Sequence, residues 1–424
     1  MNAVIILTLV ALILLGVPVA VSLALASVIG IEAFTRLPMI LVAQRMFTGI
    51  DSFPLMAVPL FILAGNLMAA GGISERLVEF ARALVGGIRG GLACTCVVTC
   101  MIFASISGSS VATTFAIGSI LIPAMVANGY PRPTAAAVQA SAAELGVLIP
   151  PSIPLILYGV ATETSIGQLF IAGFGPGLLV AAALILFLLV YCRLKGFGNE
   201  AGTDLPRVGP AALNAAAALF MPVIVIGGIY GGVFTPTEAS GVAVAYALVV
   251  GGLLYRQFTS TSLLRVFRET AIATAVIMLV IASAALFSFL LTRTGLPALV
   301  TDWVRGTFTS PWTFLLAVNV FLFLVGMFLE TAAAILVLAP ILAPIAIAFG
   351  IDPVHFGLIM VMNLALGMIT PPVGVNLFAA CSVARLPLER IVPALLPFFL
   401  VIIGCVLIVT YVPAVSLALR DLLY

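Results

Sequence analysis

Three carboxylates, two proline pairs and one run of hydroxyl residues stand inside otherwise apolar sequence, and together they define the chemistry open to this chain. The carboxylates are Glu144, Glu238 and Glu330. The proline pairs are Pro150-Pro151-Ser152 and Thr370-Pro371-Pro372-Val373-Gly374, and the hydroxyl run is Ser105, Ser107, Ser109, Ser110 and Thr113. Paired prolines remove N–H donors and expel carbonyls from a helical ladder, and the freed carbonyls need a cation, water or a side chain. A desolvated sodium ion takes about five or six oxygens, which backbone carbonyls and Ser, Thr or Asn side chains supply at low charge.

Ionisable groups deep in apolar sequence are costly, which marks the three glutamates. Glu330, followed by Thr331, interrupts a long apolar stretch and is the strongest candidate. Glu238, in Thr235-Pro236-Thr237-Glu238, fits a helix N-terminus at a membrane interface. Glu144 reads equally as a functional acid or a buried structural one. Asn363 and Asn376 flank the second proline pair, where their amides serve either as ion ligands or as polar glue between helices. The single His355 follows Asp352-Pro353 and reads as a surface loop residue rather than a proton relay.

The elements that position these groups must lie in lipid. With 63% hydrophobic and 8% charged residues over 424 positions, a water-covered surface cannot be built. Apolar runs repeatedly reach the spanning length of about 20 residues, and lipid offers the backbone no partner, so the fold class is an all-α polytopic membrane protein. Spans are expected near 2–15, 17–32, 54–71, 133–160, 166–194, 211–231, 236–256, 270–292, 354–384 and 391–412, about ten in all. The first two read either as a pair or as one tilted helix. No basic residue precedes the first apolar run, so it is expected to be a retained segment rather than a cleaved leader.

Two more stretches, Gly91 to Asn128 and Pro311 to Gly350, are broken midway by Ser107-Gly108-Ser109-Ser110 and by Glu330-Thr331, the pattern of re-entrant helical hairpins. With both as hairpins, twelve basic residues, from Arg76, Arg82 and Arg89 through Arg132, Arg193, Lys195, Arg207, Arg256, Arg265 and Arg268 to Arg385 and Arg390, share one side. Five (Arg36, Arg45, Arg293, Arg305 and Arg420) fall opposite. The richer side is cytoplasmic, and both termini face outward.

The chain repeats itself. A shift of 221 positions carries Leu121, Pro123, Ala127, Gly129, Leu145, Gly146 and Pro150-Pro151 onto Leu342, Pro344, Ala348, Gly350, Leu366, Gly367 and Pro371-Pro372. Nearby offsets match Gly72-Ile73 to Gly295-Leu296 and the break at Val17-Pro18 to Thr235-Pro236. An odd number of crossings per half makes the copies inverted, as in many secondary transporters. The expected units are a first repeat at 1–195 (scaffold 1–90, hairpin and broken helix 91–195), a cytoplasmic linker at 196–209, and a second repeat at 210–424. The second divides into scaffold 210–310, hairpin and broken helix 311–384, and C-terminal helix 391–412.

Other classes fit poorly. A net charge of +2 without a basic stripe gives no nucleic-acid footprint. Cys94, Cys96, Cys100, Cys192, Cys381 and Cys405 lie in apolar runs without paired CxxC spacing and read as small packing residues. An intramembrane hydrolase would need Ser109 as nucleophile and His355 as base, with no second His and no HExxH to help.

In Ser107-Gly-Ser-Ser-Val-Ala-Thr-Thr, Leu148-Ile-Pro-Pro-Ser, Gly232-Val-Phe-Thr-Pro-Thr-Glu-Ala, Leu329-Glu-Thr and Ile369-Thr-Pro-Pro-Val-Gly-Val-Asn, the chain resembles the large membrane subunit of tripartite ATP-independent periplasmic (TRAP) transporters, within a wider superfamily of elevator carriers. The resemblance covers nearly the whole chain. It implies sodium-coupled uptake of a small organic anion, no cofactor and no enzymatic activity, in a bacterial or archaeal inner membrane. It also implies a small four-helix membrane subunit, here a separate chain, and a soluble periplasmic binding protein that delivers substrate. Sodium is then expected near Ser105, Ser107, Ser109, Pro150 and Ser152 in one half, and near Glu330, Thr331, Thr370 and Gly374 in the other. Substrate is expected between the tips, at Ser109, Ser110, Thr113, Glu330 and Asn376. A stand-alone carrier of the same superfamily is the alternative within this class.

Overall fold

The structure, a computed structural model, describes residues 2–198 and 205–423; residues 199–204 of the expected linker lie outside the described residues. Those described residues form helices and turns with no strand, as backbone groups in lipid require. The chain opens with α1 (Asn2–Leu14) and α2 (Val19–Phe34). They are two helices, because Gly16 adopts a left-handed φ of +80° and Pro18 precedes the first residue of α2. Next come α3 (Ile40–Ile50), a 3-10 turn (Phe53–Met56), α4 (Ala57–Ala70) and α5 (Ile73–Val85). The first hairpin is α6 (Gly91–Ser107) and α7 (Ser110–Ala127); the first broken segment is α8 (Arg132–Ala143), α9 (Leu145–Leu148) and α10 (Ile153–Thr162), followed by α11 (Ile166–Lys195).

The second half runs through α12 (Val208–Tyr230), α13 (Pro236–Val249) with a π-helical turn at its end, α14 (Ser260–Arg293) and α15 (Leu296–Thr307). Its hairpin is α16 (Pro311–Gly326) and α17 (Thr331–Ala348), and its broken segment is α18 (Pro353–Met368) and α19 (Val375–Ala384). The chain closes with α20 (Leu388–Tyr411) and α21 (Pro413–Leu423).

The two halves repeat in detail. The second hairpin legs, α7 and α17, are both 18 residues long, and each is followed by a left-handed glycine, Gly129 and Gly350. Both α5 and α15 begin after a left-handed glycine, Gly72 at φ +71° and Gly295 at φ +70°. The Pro150-Pro151 and Pro371-Pro372 bonds are both cis. The hairpin legs are exchanged across the repeat: α10 packs on α17, and α19 packs on α7.

The centre of the molecule is made by the broken segments. Every residue from Thr134 to Ala143 and from Val354 to Met368 is buried. By contrast α12 buries only Ala211, Ala215, Ala218, Met221 and Val225, and turns Leu213, Phe220 and Val223 outward, as a lipid-facing helix does. Among the described residues eight helices are long and apolar enough to cross a membrane, or nine if α8 to α10, bent by 40°, count as one. The eight include the second hairpin legs, α7 and α17; of the ten expected spans six qualify, or seven with the bent one, because α1 and α2 have only 13 and 16 residues and the second broken span is divided at its prolines.

Four helices, α3, α5, α15 and α21, were not expected as elements. Each has 11 to 13 residues with charged and apolar positions mixed, too short and polar to register as a span. The burial of His355 corrects its reading as a surface residue: at 2% exposure, its Nδ1 lies 3.2 Å from Ser416 Oγ and its Nε2 lies 3.3 Å from the Thr410 carbonyl. The cause is α21, which folds back over the start of α18 and is held there by a 2.7 Å ion pair between Arg420 and Asp352.

Candidate ion and substrate site

The first tip is a two-residue turn. Gly108, at φ +63°, ends α6, and Ser109, in extended backbone, caps α7 by accepting from the Ala112 N–H at 3.4 Å. Three oxygens gather there: the Ser107 and Thr113 hydroxyls are 3.1 Å apart, and Thr113 donates to the Ser109 carbonyl at 2.7 Å. Ser105 stands apart, its hydroxyl donating to the Ile102 carbonyl at 2.6 Å within its own helix.

The first break closes on this tip. The Ile153 N–H donates to the Gly108 carbonyl at 3.2 Å, and a Cβ on Gly108 would stand 2.6 Å from the Pro151 carbonyl oxygen. Pro151 therefore presents its carbonyl to the tip. Ser152 caps α10 and donates to the Val147 carbonyl at 2.6 Å, so its hydroxyl braces the break.

The second tip is built the same way from different residues. Glu330 caps α17, its Oε2 accepting from the N–H groups of Ala332 at 3.0 Å and Ala333 at 3.4 Å. The Val373 N–H donates to the Met327 carbonyl at 3.2 Å, which ties the second break to its tip as Ile153 ties the first. The Thr331 hydroxyl reaches Met368 Sδ at 2.7 Å, while the Thr370 hydroxyl donates to the Leu366 carbonyl in its own helix at 2.8 Å. Gly374, at φ +52°, starts α19 with its Cβ position 3.0 Å from the Thr370 carbonyl oxygen.

The tips meet. A cavity of about 70 Å³ is lined by Gly108, Ser109 and Ser110 from one tip and by Glu330, Thr331 and Ala332 from the other, with Ile277 of α14 and Met368 closing its sides. A larger space of about 480 Å³ leads from Ser107 and Ser109 toward Asn66 of α4 and Glu269 of α14. The starts of α7 and α17 thus face one space, and helix starts carry N–H groups and positive dipole ends. Because Glu330 occupies two N–H groups and brings its own negative charge, its carboxylate suits a cation rather than an organic anion.

Asn376 does not join this space. It is fully buried, donating to Glu144 Oε1 at 2.7 Å and to the Ala140 carbonyl at 3.2 Å, and receiving the Thr114 hydroxyl on its Oδ1. Its place at the start of α19, packed on α7 and α8, turns it into the buried interior of the molecule. Asn363 serves as polar glue, donating to Asn319 Oδ1 at 2.8 Å, while Asn319 in turn donates to Thr410 at 3.1 Å. Glu238 forms an exposed capping box with Thr235, as a helix start at an interface would. All six cysteines are buried. His355 is engaged by Ser416 and Thr410 while Ser109 caps its own helix, so the nucleophile and base of a hydrolase are not assembled.

Sequence reasoning passed over the glycines that let tips and breaks touch. Gly146 and Gly367 are equivalent in the repeat, and each presents a bare Cα to a tip, Gly146 to Ser109 and Ser110, Gly367 to Gly326 and Met327. Their matching in the repeat was the available signal. Gly65 of α4 does the same from the flank, with its Cβ position 3.1 Å from Ser107 Cα.

Known proteins settle the family. The family model for the tripartite ATP-independent periplasmic transporter, DctM component, matches residues 6–415. The chain belongs to the DctM family. It is 44% identical over 400 residues, 94% of each chain, to the C4-dicarboxylate TRAP transporter large permease protein DctM of Pseudomonas aeruginosa. It is 44% identical over 403 residues to the isethionate TRAP transporter permease protein DctMQ of Oleidesulfovibrio alaskensis, covering 95% of this chain but 64% of that protein's length. The sialic acid TRAP transporter large permease protein SiaM of Vibrio cholerae is 36% identical over 407 residues, 96% of this chain and 95% of that one. Among solved structures, the Alcanivorax borkumensis YdaH transporter superposes with a TM-score of 0.65 at 18% identity over 89% of each chain, which speaks to fold alone. This is a transporter family of membrane permeases, not of enzymes.

Proposed function

We propose that this chain is the transport-carrying subunit of a sodium-coupled system that takes up a small organic carboxylate by an elevator movement. The observation that carries this reading is the cavity between the two tips, where two capped helix starts and an oxygen-rich turn converge. Sodium is held at each tip and its adjoining break: at Ser107, Ser109, Thr113 and the Pro151 carbonyl in one half, and at Glu330, Thr331 and the carbonyls around Thr370 and Gly374 in the other. Bound sodium draws each tip onto its break, and the N–H groups of Ser110 and Val111 then present positive dipole ends to the carboxylate. Substrate and ions are thereby bound together, as coupling requires.

The mobile unit is 91–195 with 311–384, and the remaining helices form a scaffold that meets it along α4 and α14. Sliding the unit would carry the cavity from one face of a bacterial inner membrane to the other, with the hairpins re-entering from opposite sides. A small membrane subunit broadens the scaffold, and a periplasmic binding protein supplies the substrate. C4-dicarboxylates and sugar acids are the first classes to test, since relatives named for a C4-dicarboxylate and for sialic acid match 94% and 96% of this chain.

The test is reconstitution in liposomes with the candidate small subunit and binding protein, followed by uptake of a labelled carboxylate panel with each component omitted in turn. Uptake that needs every component supports the reading; uptake by this chain alone makes it a stand-alone carrier, and no uptake by a folded complex counts against transport of these acids.

A further inference from the structure

The inter-tip site leaves one buried carboxyl unused. Glu144, at the joint of α8 and α9, is 2% exposed. Its Oε1 accepts from Asn376, while its Oε2 is buried with no hydrogen-bond partner. The Asn376 amide that holds it is itself fixed by the Thr114 hydroxyl and the Ala140 carbonyl, so three helices, α7, α8 and α19, from both repeats close on this one group.

An ionised carboxylate buried beside a neutral amide and no cation is strongly disfavoured. The elements packed against α8 bring no compensating charge to it. Helix α6 contributes the thiols Cys94, Cys96 and Cys100, with Cys96 and Cys100 turned to Gln139, and α7 contributes no titratable group. Helix α19 contributes Cys381; α20 contributes Cys405 in its interior and Glu389, Arg390 and Tyr411 at its two ends; of the helices packed on α9, α10 contributes Tyr158, α18 contributes His355 near its start, and α11 contributes Tyr191, Cys192, Arg193 and Lys195 in its last turns. The partner of Glu144 is Asn376. A metal cation would need about five or six oxygens, yet Asn376 Oδ1 is taken by Thr114 and the Ala140 carbonyl by the Asn376 amide. Of the oxygens in this Glu144–Asn376–Thr114–Ala140 group, Oε2 alone is without a hydrogen-bond partner, and a single oxygen is what a proton needs.

We propose that Glu144 is a proton-binding site of the mobile unit, distinct from the sodium and substrate site between the tips. In the state described, the carboxyl is protonated on Oε2, with Oε1 held by Asn376. Release breaks the O–H bond, sends the proton to water and leaves a carboxylate; rebinding reverses it. Because the group lies where the two repeats are pinned together, ionisation leaves an uncompensated charge at their joint and stops the cycle. Transport is then supported while Glu144 is protonated and declines as pH rises past its ionisation. The functional half of this inference rests on the transport reading; the protonation itself does not.

Two measurements test it separately. Infrared spectra of the purified chain, with its small subunit, are expected to contain a protonated-carboxyl C=O band that shifts in heavy water, is missing in Glu144→Gln, and moves to higher frequency in Asn376→Ala. Glu330→Gln identifies any band from that second acid. Absence of a band assignable to Glu144 overturns the proposal whether or not the protein transports, and the Asn376→Ala shift assigns the band should Glu144→Gln fail to fold. In liposomes, sodium-driven uptake by the wild type is expected to fall about tenfold per pH unit on the alkaline side, the slope of one proton, and Glu144→Gln is expected to lack that fall. A band present with identical pH profiles would make Glu144 a fixed structural acid and overturn the functional half.

Discussion

Gly146 rests directly on the first hairpin tip: a Cβ added to it would stand 2.8 Å from the Ser109 carbonyl oxygen and 3.0 Å from the Ser110 nitrogen. Its repeat equivalent, Gly367, would bring a Cβ to 2.7 Å from the Met327 nitrogen at the second tip. Backbone cannot yield as a side-chain end can, so Gly146→Ala and Gly367→Ala are expected to part tip from break. Each should destabilise by about 1–3 kcal/mol, as overpacking does, and lower sodium-driven uptake at least tenfold. Thermal unfolding in detergent and initial uptake rates check this; wild-type values for both variants would disprove the close approach.

The hydroxyl groups at the first tip are expected to separate by position. Ser107 and Thr113 face each other and the Ser109 carbonyl, whereas Ser105 is bonded back to its own helix. Ser107→Ala and Thr113→Val should each raise the sodium concentration for half-maximal uptake about tenfold, the equivalent of roughly 1.4 kcal/mol of ligand binding. Ser105→Ala should change it by less than about twofold, within the reach of a lost local hydrogen bond. Sodium titrations of uptake at saturating substrate provide the comparison.

At the second tip, Glu330 both caps α17 and brings charge, and two substitutions divide these roles. Glu330→Gln keeps an acceptor for Ala332 and Ala333, so stability should hold while sodium dependence weakens. Glu330→Ala should additionally lose about 1 kcal/mol of helix capping. Equal sodium affinity in Glu330→Gln and the wild type would remove the carboxylate from ion binding.

The C-terminal clasp predicts a pH effect outside the membrane core. Burial pushes the Asp352 carboxyl up, but the Arg420 guanidinium and the His355 and Val354 N–H groups outweigh it and hold it below the ordinary range. A carboxylate depressed on folding stabilises above its unfolded value of about 3.9, and that stability is lost as pH falls through the folded value. The melting temperature should therefore drop on acidification below about pH 4, and Asp352→Asn should remove that part of the drop. Partial exposure, 31% for the Asp352 side chain, and the modest worth of solvent-screened ion pairs keep the effect small.

Much of this was legible from spacing. The Gly108-Ser109 and Glu330-Thr331 breaks are tips because glycine, serine and glutamate end or cap helices, and those signals are local. The proline pairs were legible for the same reason. Asn376 lies off the cavity between the tips because its direction depends on how α19 packs on α7 and α8, which no local pattern encodes. The burial of His355 is not legible locally because α21, which covers it, is amphipathic and too short to announce itself beside the spans. The role of Gly146 and Gly367 was hidden in plain repetition: a glycine's significance is the neighbour it admits, and that neighbour is distant in sequence.

The most direct test of sodium-driven carriage is substrate uptake into liposomes holding the complete complex, with an inward sodium gradient replaced by an equal potassium gradient. Accumulation above the external concentration with sodium, and none with potassium, is the expected result. Equal accumulation under both gradients would contradict it.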